Sequence, residues 1–248
     1  MKISVVTAVY NRADTVGQAI ASVQAQVYPH VEHLIIDGGS TDKTIENVRK
    51  YSRAAMRVIS EPDEGIYDAL NKGIANSTGD VIGVMHSDDF FADAFVLDKV
   101  AHEFADPAVG AVYGDLDYVS ASDPTKIVRH WKSGNFSKNR LRWGWMPPHP
   151  TLFLRRDVFV RLGSYDTSYR IAADYDAILR FLGKGGVRAR YIPEVLVKMR
   201  VGGESNKSLD RVIRKSREDY RALRSSGMGG AGALIWKNVS KIPQFILR

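Results

Sequence analysis

Short apolar runs alternate, along the first half of the chain, with stretches in which apolar residues recur every three or four positions. Lys2–Val9 (KISVVTAV) reads as a strand, and Val16, Ala19, Ile20, Val23 and Val27 then recur at helical spacing after Asp14, a capping candidate. VEHLII, ending at Ile36, predicts a second strand, with a helix around Ile45 and Val48 behind it. RVIS, ending at Ser60, is followed by a helix through Ala69, Leu70, Gly73 and Ile74. VIGVM, ending at Met85, is followed by a helix from Phe95 to Phe104, and VGAVYG gives a fifth strand. Parallel strands need a crossover to bring the chain back, and helices of this length supply it. The pattern therefore predicts an α/β domain, a doubly wound and mainly parallel sheet with helices on both faces.

Polar residues gather where such a sheet binds ligands, at the carboxyl ends of its strands. Thr7 and Asn11 close the first strand, Asp37 and GGSTD the second, Glu61, Asp63 and Gly65 the third, and His86, Ser87, Asp88 and Asp89 the fourth. Helix capping accounts for Asp42 and Asp93 but not for the set. Asp37, Asp63, Asp88 and Asp89 on one edge would repel one another unless a cation or many donors were bound there. Adjacent carboxylates suit Mg²⁺ or Mn²⁺, which take oxygen ligands and leave positions for phosphate oxygens, so a nucleoside diphosphate is the expected ligand class. No Walker A sequence is present.

Composition narrows the alternatives. The chain has 248 residues, 44% of them hydrophobic, enough for a substantial core in one or two domains. No apolar run is long enough to span a membrane and the start does not read as a signal peptide, so a cytoplasmic location is expected. The absence of cysteine excludes disulfides and thiolate chemistry. The net charge of +7 suggests nucleic acid until it is divided: Lys198–Arg248 holds 12 Lys/Arg against 4 Asp/Glu, and the rest is nearly neutral. Nucleic acid is therefore not an expected partner of the body, and the basic end points to an anionic surface.

The segments SVVTAVYNR, LIIDGGSTDKT, EPDEGIYDALNKGI and STGDVIGVMHSDD, in this order, resemble family 2 glycosyltransferases of the GT-A fold, inverting enzymes that build bacterial surface polysaccharides. The resemblance is strong over the first 120 residues or so. It implies that Thr7 and Asp37 contact the nucleotide base, with Asp63 nearby. It implies that Asp89 is a metal ligand and that Asp88 meets the ribose or diphosphate, with Ser87 standing where the family has a further carboxylate. The family's Ala-Arg-Asn-x-Gly appears as Ala69, Leu70, Asn71, Lys72 and Gly73, so Lys72 is the expected cation toward the phosphates.

In the second half, HPTLFLRRDVFVRLGSYD and IAADYDAILRFL resemble the family's acceptor segment, with Ala173 in place of a Glu and Asp174 retained. The resemblance makes Asp174 the general base; read from the residues alone, it caps the helix carrying Ile178, Leu179 and Leu182. Asp176 reads as a first-turn charge. Trp143 and Trp145 are either sugar platforms or a satellite core, and His149 meets the diphosphate, the acceptor or a backbone group. The loop GGESN, with Ser205, is expected to flap over the donor phosphates.

From residue 208 the chain reads as a basic amphipathic tail for a membrane surface or for oligomer contacts, with Trp236, Phe245 and Ile246 as apolar anchors. Gly227, Gly229 and Gly232 spell G-x-G-x-x-G after a basic helix rather than a strand, which makes them a hinge rather than a cofactor loop. Three parts follow: 1–115 for the nucleotide sugar, 116–207 for the acceptor and base, and 208–248 as the tail. The expected activity is metal-dependent, inverting transfer of a sugar from a nucleotide-diphosphate donor, a UDP-sugar first, to a glycan or lipid-linked hydroxyl, on the inner face of the cell membrane. The alternatives are a catalytically silent glycan- or membrane-binding subunit and a sugar nucleotidyltransferase.

Overall fold

The computed structural model describes residues 1–51, 53–202 and 209–239. The chain runs β1 (Ile3–Val9), α1 (Val16–Gln24), β2 (Val31–Asp37), α2 (Thr44–Lys50), β3 (Met56–Ser60), α3 (Ile66–Asn76) and β4 (Val81–Val84), the expected alternation. It continues through β5 (Phe90–Phe91), α4 (Val96–Glu103), β6 (Ala111–Val119), β7 (Ile127–Trp131), α5 (Lys138–Arg142), β8 (Phe153–Arg155) and α6 (Arg156–Leu162). Then come α7 (Ala173–Ile178), extended by π-helical turns to Lys184, β9 (Ala189–Arg200), α8 (Leu209–Ser226) and α9 (Ala231–Val239).

The strands form one sheet in the order β3-β2-β1-β4-β8-β6-β9-β5, with β7 on β6. β3, β2, β1 and β4 are mutually parallel; β8 runs antiparallel between β4 and β6, and β6 pairs parallel with β9. The mainly parallel half is thus as expected, while the short antiparallel insertions of the second half carry too weak a period to read from sequence.

The strand period of two explains the layers. Ile3 and Val5 pack with Ala19, Val23, Leu97 and Val100, so α1 and α4 cover one face. Val6, Ala8, Leu34 and Ile36 pack with Ala69, Leu70 and Ile74, so α3 covers the other. A Cβ at Gly73 would lie 2.2 Å from Val6 Cγ1, and its absence lets α3 press directly onto β1. Asp42 and Asp93 accept the N–H groups of Thr44 and Phe95, at 2.8 and 2.7 Å, in turns just ahead of α2 and α4, whose N-cap residues are Lys43 and Phe95 and carry no side-chain cap bond. Asp14 does not cap: α1 follows Thr15 and Asp14 is exposed.

The hinge reading of the C-terminal glycines is overturned. Gly227, at φ 66°, ends α8, Met228 is buried, and a Cβ at Gly229 would meet Ala233 Cβ at 2.8 Å and Arg142 O at 3.0 Å. This is a packed turn, and α8 and α9 lie against the body through Ala222, Leu223 and Ala233. Trp145 joins Tyr113 and Phe136 and donates to Ser133 O at 3.0 Å, so it belongs to a core; Trp143 and Trp236 are exposed. Ser205, Phe245 and Ile246 lie outside the described residues. Among those described, no helix is long and apolar enough to cross a membrane.

Candidate active site

The parallel strands deliver their carboxyl ends to a cleft of about 730 Å³, within the size range of small-molecule sites. Of the expected residues, Asn11, Asp63, Asp88, Asp89, His149 and Asp174 line it. Asn11 adopts φ 49°, a left-handed conformation that Asn tolerates, and ties two loops together: its N–H donates to Ser40 Oγ and its Oδ1 accepts from Thr41 N, both at 2.9 Å. Asp63 accepts from Gly65 N at 2.8 Å and leans on Gly38, where a Cβ would fall 2.2 Å from its Oδ2.

Four expected residues are held elsewhere. Thr7 is fully buried, 3.0 Å from His33 Nε2, and does not reach the cleft. Burial pushes the His33 imidazole down to about 3, so it is neutral. Because its Nδ1 has no partner, that nitrogen is best left as the bare lone pair and Nε2–H donates to Thr7. Asp37 is also fully buried, accepting from Gly39 N, Ser40 N and the Ser60 hydroxyl, the last at 2.7 Å. Asn71 exchanges two hydrogen bonds with the Tyr165 backbone, at 2.8 and 2.9 Å. Lys72 is turned away, pairing with Glu61 at 3.1 Å and Asp68 at 3.3 Å. Arg12, Arg170, Arg211 and Arg214 line the cleft that Lys72 does not, the last two from α8.

Asp88 and Asp89 follow β4, where β9 presses against them. Arg200 N donates to Asp89 Oδ1 at 3.2 Å and its guanidinium to Asp88 O at 2.6 Å. Asp89 Oδ2 is buried with no partner. Burial, and then the charge of Asp88, push the Asp89 carboxyl well above the usual carboxylate range, against the opposing pull of Arg200. An orphaned buried carboxylate oxygen beside a second carboxylate fits a divalent cation. No cluster of three metal-ligating side chains exists among the described residues, so further ligands would be phosphate oxygens and water.

Asp174 enters from α7. Glu218 of α8, not Asp174, holds the backbone entering this helix, accepting from Ile171 N at 2.8 Å and Ala172 N at 2.9 Å. The capping reading of Asp174 therefore gives way. Its Oδ2 meets His149 Nδ1 at 3.1 Å, and its Oδ1 lies 3.3 Å from the Tyr67 hydroxyl. Burial raises the Asp174 pKa, yet His149 and the more distant Lys237 outweigh it and hold the carboxyl below the usual range. Asp176 is structural, paired with Arg180 at 2.7 Å.

The profile of Glycosyl transferase family 2 matches residues 4–180. The chain belongs to that family. An uncharacterized glycosyltransferase of Mycobacterium tuberculosis is 31% identical over 181 residues, covering 72% of this chain and 68% of that protein. A PGL/p-HBAD biosynthesis glycosyltransferase of Mycobacterium bovis is 29% identical over 221 residues, covering 86% of this chain and 82% of that protein. Among solved structures, the Pyrobaculum calidifontis mannosyltransferase with GDP-Man and Mn²⁺ superposes with TM-score 0.69 at 20% identity, over 98% of this chain and 70% of that one. S. aureus TarS 1-349 with UDP-GlcNAc gives 0.67 at 16% identity, over 91% of this chain. This chain spans 65% of the TarS fragment, just under two thirds. At such identities these structures establish the shared α/β glycosyltransferase fold, with its mixed, mostly parallel sheet.

Several residues that this glycosyltransferase brings to its cleft were not singled out by the sequence: Arg12, Tyr67, Arg170, Arg211 and Arg214. The signal for α8 was available. Asp219, Ala222, Leu223 and Ser226 are all buried at helical spacing, which marks one face as packed and sends the arginines elsewhere.

Proposed function

We propose that the chain transfers a sugar, with inversion, from a nucleotide-diphosphate donor to a hydroxyl of a glycan or lipid-linked acceptor in surface polysaccharide biosynthesis. A UDP-sugar is the first donor to try and a GDP-sugar the second; structural neighbours hold UDP-GlcNAc and GDP-Man, and relatives are named for PGL/p-HBAD biosynthesis. The observation that carries the reading is the juxtaposition, in one cleft, of the adjacent carboxylates Asp88 and Asp89 with the Asp174–His149 pair. Inversion requires a base on the face opposite the leaving group, and two such clusters in one cleft meet that need.

Asp89 and Asp88 would hold Mn²⁺ or Mg²⁺, which when bound supplies neutralisation of the charge on the leaving diphosphate. Arg12, Arg170, Arg211 and Arg214 add fixed positive charge around the same space. The Asp174–His149 pair is the proton-accepting end. Incubation with UDP- and GDP-sugars, scored for release of free nucleoside diphosphate, tests the reading. Slow release with Mn²⁺, abolished by EDTA, is the expected result; no release from any donor counts against it.

A further inference from the structure

Two segments distant in sequence meet at one edge of the molecule. Leu141 anchors α5 in the core, and the turn behind it packs directly on α9: a Cβ at Gly144 would fall 2.6 Å from Lys237 Cβ and 2.8 Å from Ala233 O. The residues flanking that contact face solvent. Trp143 is 59% exposed, Ile235 63% and Trp236 54%, and none of the three lines the cleft. Lys138 and Arg142 of α5 are exposed as well. Single apolar residues on a surface need no explanation, but two indoles and an isoleucine on one edge do.

The same two segments carry no acid. From Pro124 to Arg156 the chain holds eight Lys/Arg and no Asp/Glu, and from Tyr220 to Arg248 five and none. Asp219, the carboxylate of α8 that reaches α9, is buried on Lys237 at 2.8 Å. The edge is therefore both apolar and electropositive. A second copy meeting it across a two-fold axis would set cations against cations. Nucleic acid would match the charge but not the aliphatic Ile235. An anionic bilayer matches both, because indoles settle at headgroup level, aliphatic side chains enter the acyl boundary and Lys/Arg meet lipid phosphates.

We infer that this edge, Trp143, Ile235 and Trp236 with Lys138 and Arg142, is a docking surface for an anionic lipid bilayer. It belongs to the folded body rather than to a free tail. α9 also backs the helix that carries Asp174: the Lys237 ammonium lies 3.2 Å above the centroid of the Tyr175 ring, and Tyr175 follows Asp174 on α7. Docking by this edge would hold Asp174 near the bilayer that presents the hydroxyl of a lipid-linked acceptor, a consequence that rests on the transferase reading above, although the surface itself does not.

The test is flotation of the full-length protein with phosphatidylcholine vesicles, with and without phosphatidylglycerol, at low and high salt. The protein is expected to float with the phosphatidylglycerol vesicles at low salt, and to partition less onto neutral vesicles or in high salt, where the attraction is screened. Trp143→Ala combined with Trp236→Ala is expected to weaken partition about tenfold or more, through loss of the two indoles from the lipid interface. Both side chains are exposed, so the fold should hold. Phe95→Ala, at an exposed residue ahead of α4 on the other face of the sheet, should leave partition unchanged. In wild type, with no variant needed, brominated lipids in the same vesicles should quench tryptophan emission. No flotation with phosphatidylglycerol vesicles overturns the assignment, as does undiminished flotation of the double variant. Flotation abolished by removing residues 240–248, with the double variant still bound, gives the contact to that segment instead and overturns it too. A wild-type dimer that the double variant breaks, without vesicle binding, makes the edge an interface between copies and likewise overturns it. UDP or GDP binding by a protein that ignores vesicles would leave the transferase reading standing, so the two fail separately.

Discussion

Lys237→Met is expected to destabilise the protein by about 3–5 kcal/mol, the usual consequence of stranding one member of a buried ion pair. Lys237 and Asp219 are 3% and 4% exposed, 2.8 Å apart, and the ammonium sits 3.2 Å above the centroid of the Tyr175 ring. Burial pushes the Lys237 pKa down and Asp219 pulls it back up, so the pair holds because each member compensates the other. Removing the ammonium leaves Asp219 charged in an apolar site behind α7. For a chain of this size the melting temperature should fall by roughly 6–20 °C. Lys237→Met with Asp219→Leu should recover most of the loss, because an apolar pair needs no solvation. A single variant within about 1 kcal/mol of wild type in thermal unfolding would show that water reaches the pair.

Asp174→Asn should reduce transfer ~10²–10⁴-fold while melting within a few degrees of wild type. Asn keeps the side-chain shape but neither accepts a proton nor fixes the His149 tautomer, so the loss follows whichever member of the pair takes the proton. Stability should hold because Glu218 secures the backbone entering α7 and the site is open to the cleft. Nucleoside diphosphate affinity should stay near normal. Unaltered turnover in a well-folded variant would place the proton acceptor outside the Asp174–His149 pair.

The parallel half of the fold was legible because each strand alternates between two covered faces, and each helix carries one apolar stripe. β5 and β8, two and three residues long, leave no period to read, and β7 is mostly exposed. For the site, position along the chain was a sound guide and orientation was not. Asp88, Asp89, His149 and Asp174 reach the cleft, whereas Thr7 and Lys72, adjacent in sequence to lining residues or helices, turn to His33 and to Glu61. Which way a side chain faces depends on partners distant in sequence. One part of the tail was hidden for a related reason: its basic count is real, but Asp219 and Lys237 each sit on the apolar stripe of their own helix. Two opposite charges on facing apolar stripes mark a buried pair, which joins α8 to α9, and Lys237 over the Tyr175 ring carries the contact on to α7.

The central claim is that Asp88 and Asp89 make a cation-dependent nucleoside diphosphate site in this family 2 glycosyltransferase. Calorimetric titration of UDP and of GDP into the full-length protein, with Mn²⁺ and then with EDTA, tests it most directly. Binding of at least one nucleotide with Mn²⁺, lost in EDTA and strongly weakened in Asp89→Ala, is the expected result, because two carboxylates without a cation repel a diphosphate. Equal affinity in Mn²⁺ and EDTA, or an Asp89→Ala variant that binds like wild type, would contradict the account.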